Sequence, residues 1–149
     1  MKDSETAIRQ AELILKLFEL RRETVMRSAR SYVGGEFMPS SADEVMSLVS
    51  AGGPKASYIL QVYGYWDMVS AFVIHGALDK SLVYDTCPEM YFQYAKIQPY
   101  LAGIREKMHL PELFRSIESV IEGSDEGRCR LADMRNNLGE IAKSRESGI

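Results

Sequence analysis

The segment from residue 55 to residue 75 is the feature that most constrains the fold. Its apolar residues step by three and four positions, which is the spacing of one helix face and not of a strand. Those residues are Ile59, Val62, Trp66, Val69 and Val73, and they are flanked by the aromatic residues Tyr58, Tyr63, Tyr65 and Phe72. A helix that is apolar on several sides is central rather than peripheral. We therefore predict a central helix over this segment.

Similar spacing elsewhere in the chain predicts an all-helical protein. No segment alternates with period two for long enough to indicate a strand. We predict an irregular up-down bundle of five or six helices, over residues 4–33, 42–51, 55–75, 86–108, 111–123 and 127–144, with a short turn at 79–84. At 1.5 Å per residue, the thirty residues of the first segment would make a helix about 45 Å long. A compact domain of this length is roughly 38 Å across, so we expect a long N-terminal helix that overhangs its domain.

Local signals place several helix boundaries. Ser41 with Glu44, and Thr86 with Glu89, both fit the capping box, in which a hydroxyl meets the third amide of the helix and a carboxylate reaches back. Pro99 lies inside a helical segment, where it removes a hydrogen bond and crowds the preceding turn, so we predict a kink there.

The chain length of 149 residues suits a single domain. We predict one helical bundle over residues 1–125. Residues 126–149 should form an amphipathic helix, packed on or beside that bundle, and a disordered tail with the sequence SRESGI.

Composition excludes several classes of function. A net charge of −3 argues against general affinity for nucleic acid or anionic lipid. The longest nearly apolar run, residues 68–78, is about half of the roughly 20 residues that a membrane span needs. Cys87 and Cys129 lie in no CxxC motif, and two lone thiols suit a reducing compartment. We expect a cytoplasmic protein with no nucleic-acid partner and no membrane span.

Isolated residues suggest chemistry, but none of them completes a site. Glu106 and His109 have the Glu-x-x-His spacing of di-iron bundles, yet the other histidine, His75, has Phe72 where its glutamate should be. His75 could serve as a general base. Cys87 lies at a predicted helix start, where the helix dipole lowers a thiol pKa, but no second thiol or base accompanies it. We predict no catalytic residue, no metal ligand and no cofactor.

Four arginines concentrate positive charge in the second half of the first predicted helix. They are Arg21, Arg22, Arg27 and Arg30. Either they form an anion or RNA site, or they form a solvated face with ion pairs to nearby glutamates.

The aromatic residues have two interpretations. Tyr63, Trp66, His75, Tyr94 and Tyr100 could line a ligand pocket. Alternatively, they lie on helical stripes that fill the core and place their hydroxyl groups at its rim.

The stretch from residue 65 to residue 105 carries a resemblance to a known family. An aromatic helix is followed by the motifs GALD at 76–79, LVY at 82–84, MYF at 90–92 and QPYL at 98–101. This pattern resembles an uncharacterised family of bacterial all-helical proteins that is known only as a domain of unknown function. The resemblance implies an all-helical fold and brings no activity, cofactor or catalytic residue.

These observations support three functional hypotheses. The leading one is a non-enzymatic interaction or regulatory module that self-associates as a dimer, motivated by the overlong, broadly apolar first helix. The second is a binding protein for a small apolar or aromatic ligand. The third is an enzyme that uses His75 or His109.

Overall fold

The computed structural model of the protein describes residues 3–148, and every regular element in that part of the chain is a helix. The predicted all-helical class is therefore confirmed. The α-helices are α1 (Ser4–Arg21), α2 (Thr24–Gly35), α3 (Ala42–Ser50), α4 (Gly53–Ile74), α5 (Lys80–Thr86), α6 (Pro88–Ile97), α7 (Leu101–Met108), α8 (Arg115–Glu122) and α9 (Asp125–Glu146), and a 3-10 turn, Gln98–Tyr100, joins α6 to α7.

The chain forms more helical segments than the five or six predicted, and the long N-terminal helix is wrong. The predicted first helix breaks after Arg21, and α2 begins at Thr24. The carboxylate of Glu23 accepts a hydrogen bond from the Met26 amide at 3.0 Å and so caps the new helix. At 1.5 Å per residue α1 is about 27 Å long, so the overhang expected from one thirty-residue helix does not arise.

The prediction of a central helix is confirmed by α4. Val62, Trp66 and Val69 have no exposed surface. This helix packs against α2, α3 and α8. Its apolar stripes therefore form the middle of the core.

Pro99 distorts the chain as predicted. Helix α6 ends at Ile97, and Pro99 lies in the 3-10 turn before α7. The predicted helix 86–108 is thus two α-helices, which accounts for another of the additional segments.

The first capping box forms with a shifted partner. Ser41 Oγ accepts from the Glu44 amide at 3.0 Å, as predicted. The Glu44 carboxylate instead accepts from the amide and hydroxyl of Ser40, at 2.9 and 2.7 Å. The start of α3 is therefore held by two serines.

The second predicted capping box is wrong. The residue at the N-cap of α6 is Cys87, which makes no side-chain capping bond. The hydroxyl of Thr86 donates back to the Leu82 carbonyl at 2.7 Å, within α5. The Glu89 carboxylate pairs with arginines of other helices.

The C-terminal segment is more helical than expected. Helix α9 packs against α6 and α8, with Leu131 buried. It extends to Glu146, so Ser144–Glu146 are helical and not part of a disordered tail. Ile149, the last residue of that predicted tail, lies outside the described residues. None of the helices within residues 3–148 combines the length and apolar character required to cross a membrane.

Candidate functional site

The five residues predicted to line a pocket lie in different parts of the fold. The Tyr63 hydroxyl is buried and donates to the Gln93 carbonyl at 2.8 Å. Trp66 is buried in the core beside α1, and His75 is exposed at the end of α4. The remaining two are Tyr94, which donates to the Glu122 carboxylate, and Tyr100, which is half-buried in the 3-10 turn.

Two of these five residues line cavities, and each lines a different one. Tyr63 lines an apolar void of about 20 Å³, which is room for about one water molecule. Tyr100 lines a larger groove beside α9. Burial raises the pKa of Tyr63 and of Tyr94 well above the usual tyrosine value, and the adjacent Glu122 adds to the rise at Tyr94. Both hydroxyls are therefore neutral hydrogen-bond donors of the interior.

Neither histidine lies in a site. His75 occupies the C-cap position of α4, where its amide donates to the Ala71 carbonyl. His109 is exposed and adopts a left-handed conformation with φ of 56°, which ends α7. Among the described residues, no three His, Cys, Asp or Glu side chains are grouped to hold a metal ion.

The environment of Cys87 differs from the one predicted. Its side chain is buried, and burial raises the pKa of the thiol. The Thr86 hydroxyl and Arg21 oppose that rise without reversing it. The helix start therefore does not activate this cysteine, because desolvation is the larger effect.

Two of the four predicted basic residues form an ion cluster at the meeting point of α1, α2 and α6. Arg30 Nε lies 3.1 Å from both carboxylate oxygens of Glu89, and an Arg21 guanidinium nitrogen lies 3.7 Å away from the same carboxylate. Arg21 also stacks on the Phe18 ring at 3.9 Å. These contacts give the two arginines a structural role in joining three helices, while Arg22 and Arg27 are exposed.

Sequence reasoning missed a buried lysine. Lys96 is only 4% exposed, and its ammonium group donates to the carbonyls of Val33 and Phe37, the latter at 3.0 Å. Burial lowers the pKa of Lys96 to about 7; Glu89 opposes that shift and Arg145 reinforces it. The two carbonyls belong to the C-terminal end of α2 and the loop after it, so Lys96 ties α6 to that end.

Beyond its first turn, the exposed residues of α4 carry no charge. Leu60, Gly64, Met68 and Ala71 follow one another at steps of four, four and three, and Leu60 is 47% exposed. We refer to these four residues as the α4 face. The helix contains only two charged residues, Lys55 in its first turn and Asp67, which accepts from the Ile117 amide of α8 at 3.0 Å.

Comparison with known proteins places the chain in a family. The family described as a domain of unknown function, DUF4760, matches residues 6–124. No curated protein and no solved structure matches the chain. The resemblance predicted from residues 65–105 is confirmed and extends from α1 to the end of α8. Because the match covers well over half of its length, the chain belongs to the DUF4760 family, a domain of unknown function.

Proposed function

We propose that this protein is a non-enzymatic helical interaction module of the bacterial cytoplasm, and that it self-associates through the α4 face. The observation that carries the proposal is an uncharged, apolar surface strip on the central helix of the domain. The motivation from an overlong first helix no longer applies, since α1 ends at Arg21.

Gly64, the glycine of the α4 face, supports the proposal that a helix of a partner molecule packs closely against this face. A glycine inside a helix costs about 1 kcal/mol relative to alanine. The glycine at position 103 in α7 is explained by packing within the chain, because a Cβ there would lie 3.0 Å from the Ala42 side chain. A Cβ on Gly64 would meet nothing within 4 Å. Close approach of a helix from another molecule would give Gly64 a role that the isolated chain does not.

The absence of charge favours a second copy as that partner. A charged face would repel its own image across a two-fold axis, whereas an uncharged one is compatible with itself. The 22 residues of α4 span about 33 Å. A standard interface buries roughly 800 Å² on each partner, more than one helix face supplies, so the flanking surfaces of α3 and α8, which pack against α4, would complete it.

Two free thiols support a cytoplasmic location. Cys87 is buried and Cys129 is exposed, and neither forms a disulfide. An exposed free thiol is typical of a protein that stays in a reducing compartment.

The oligomeric state tests the proposal directly. Size-exclusion chromatography with light scattering at tens of micromolar should give a dimer for the unmodified protein. Leu60→Lys with Met68→Lys places two charges on the α4 face and should give a monomer. The matched control is Leu15→Lys, on the solvent side of α1 and 64% exposed, which should remain a dimer.

Two outcomes would contradict the proposal. One is a monomer for the unmodified protein at that concentration. The other is a dimer that survives the double lysine variant; if the Leu15→Lys variant is then a monomer, the interface lies on α1 and not on α4.

A further inference from the structure

A groove of about 370 Å³ lies between α9 on one side and α6 with its 3-10 turn on the other. We call it the α6–α9 groove. Met38 and Pro39, from the loop after α2, also line it. Small-molecule sites typically occupy about 300–1,000 Å³, so the groove is at the lower end of that range.

The charge of this groove is opposite to that of the chain. Its lining includes two arginines, Arg135 and Arg145, besides the buried Lys96, and contains no aspartate or glutamate, although the chain as a whole has a net charge of −3. The two arginines are ten residues apart on α9, which corresponds to about 15 Å along the helix. Between them the wall is apolar and includes Leu138 and Ala142.

The two arginines retain donors for a ligand. Arg135 donates to the Gln98 side chain, and Arg145 donates to the Gly35 carbonyl at 2.9 Å. A guanidinium has five N–H donors, so neither contact uses the whole group. Arginine binds carboxylates through two parallel hydrogen bonds, so a carboxylate matches the geometry of these donors.

Gly139 leaves the middle of the groove open. It lies inside the 22-residue helix α9, where glycine is unfavourable relative to alanine. A Cβ at this position would meet nothing within 4 Å, so no contact within the chain accounts for the glycine. A side chain there would instead enter the space between the two arginines.

We propose that the α6–α9 groove binds a small amphipathic organic anion, with its carboxylate on Arg135 and its apolar body against Leu138, Gly139 and Ala142. The proposal keeps the ligand-binding hypothesis and moves the site away from the core aromatic residues. It is independent of self-association, because the groove shares no residue with the α4 face.

The first experiment is an NMR titration of the full chain with decanoate. Amide shifts should saturate with a single site and should be largest around Gly139. Decyltrimethylammonium, which has an alkyl chain of similar length and the opposite charge, should bind at least about tenfold more weakly, since it forfeits a charge-assisted hydrogen bond. Equal binding of the two probes, or no saturation up to about 1 mM decanoate, would overturn the proposal.

The second experiment blocks the groove without disturbing the fold. Gly139→Leu should abolish decanoate binding, because the new side chain occupies the groove, while helical content measured by circular dichroism is maintained. Asn136→Leu, at an exposed position of α9 outside the groove lining, is the matched control and should bind decanoate normally. Retained binding in Gly139→Leu would place the ligand elsewhere.

The third experiment tests the charge. Arg135→Gln should weaken decanoate binding by about tenfold, which is the loss expected for one charge-assisted contact. Arg128→Gln on the same helix, whose guanidinium contacts Asp125 and the Glu122 carbonyl, should leave the affinity unchanged. Equal losses in the two variants would show that general positive charge, and not the groove, attracts the anion. If instead only an acidic peptide bound at these residues, the small-molecule proposal would be wrong.

Discussion

Replacing Lys96 with methionine should change how the stability of the protein depends on pH. Burial lowers the pKa of Lys96 to about 7 in the folded protein, against 10.5 for an unperturbed lysine. At a pH between these two pKa values, Lys96 carries a proton in the unfolded chain that it lacks in the folded chain. The free energy of unfolding therefore rises with pH across this window, and the contribution of Lys96 to it is lost as the pH falls to 7.

The contacts of Lys96 explain why the folded state accepts the neutral amine. A neutral amine keeps two N–H groups, and the side chain has two carbonyl partners, on Val33 and Phe37. Deprotonation thus relieves the cost of burying a charge without breaking either hydrogen bond. At 1.36 kcal/mol for each pH unit, the interval from about 7 to 10.5 sets an upper limit of about 5 kcal/mol.

The assay is urea unfolding followed by circular dichroism at several pH values between 7.5 and 9.5, at constant ionic strength. The stability of the unmodified protein minus that of Lys96→Met should increase by roughly 1 kcal/mol per pH unit. Taking the difference cancels the titration of the tyrosines and cysteines, which both proteins share. The methionine also leaves two carbonyls without a donor, but this cost of about 1–3 kcal/mol each does not vary with pH.

A lysine at the surface provides the baseline. Lys55→Met, above the Tyr32 ring, shows what the loss of an exposed lysine does to the same curve. If the stability difference for Lys96→Met were flat with pH, or followed the Lys55→Met curve, Lys96 would hold its proton equally in the folded and unfolded states. Burial would then not lower the pKa of Lys96.

Three further tests of individual contacts use the same unfolding assay. Gly139→Ala should stabilise the protein by about 0.5–1 kcal/mol, whereas Gly127→Ala should destabilise it, because its Cβ would lie 2.1 Å from a backbone oxygen; the opposite signs would contradict the packing argument. Glu89→Gln should cost about 1–3 kcal/mol by leaving two partly buried arginines without their carboxylate, while Glu5→Gln, from an exposed pair, should cost less than about 0.5 kcal/mol. Tyr63→Phe should cost about 1–2 kcal/mol through the loss of its bond to the Gln93 carbonyl, and no loss would mean that this bond contributes nothing.

Local signals predicted much of the fold. The three-four spacing identified α4 as the central helix, and Pro99 marked the 3-10 turn, because both effects act within a few residues. The break after Arg21 was missed for a related reason. The apolar stripe continues from Phe18 to Val25 across the break, and Glu23, which caps α2, is not among the preferred N-cap residues.

The candidate site could not be predicted in the same way, because its contacts are distant in sequence. The bond from Lys96 to Val33 joins residues 63 positions apart, and a lysine in a helical segment ordinarily indicates a solvated position. Glu89 was assigned to a cap because Thr86 precedes it at the right spacing, whereas its partners come from α1 and α2. Helical spacing shows which face a residue occupies and leaves open which helix lies opposite.

Some of the basic residues in the groove bind the C-terminal end of α2, and others do not. A helix C-terminus exposes carbonyls and a partial negative charge, which cations stabilise. Lys96 and Arg145 donate to carbonyls at and just beyond this end, so both would be useful in a protein that binds nothing. Arg135 donates to the Gln98 side chain, and a Cβ on Gly139 would meet nothing within 4 Å, so neither residue is explained by α2. The case for a ligand therefore depends on Arg135 and Gly139, and variants at these two positions can remove binding while the cap of α2 stays intact.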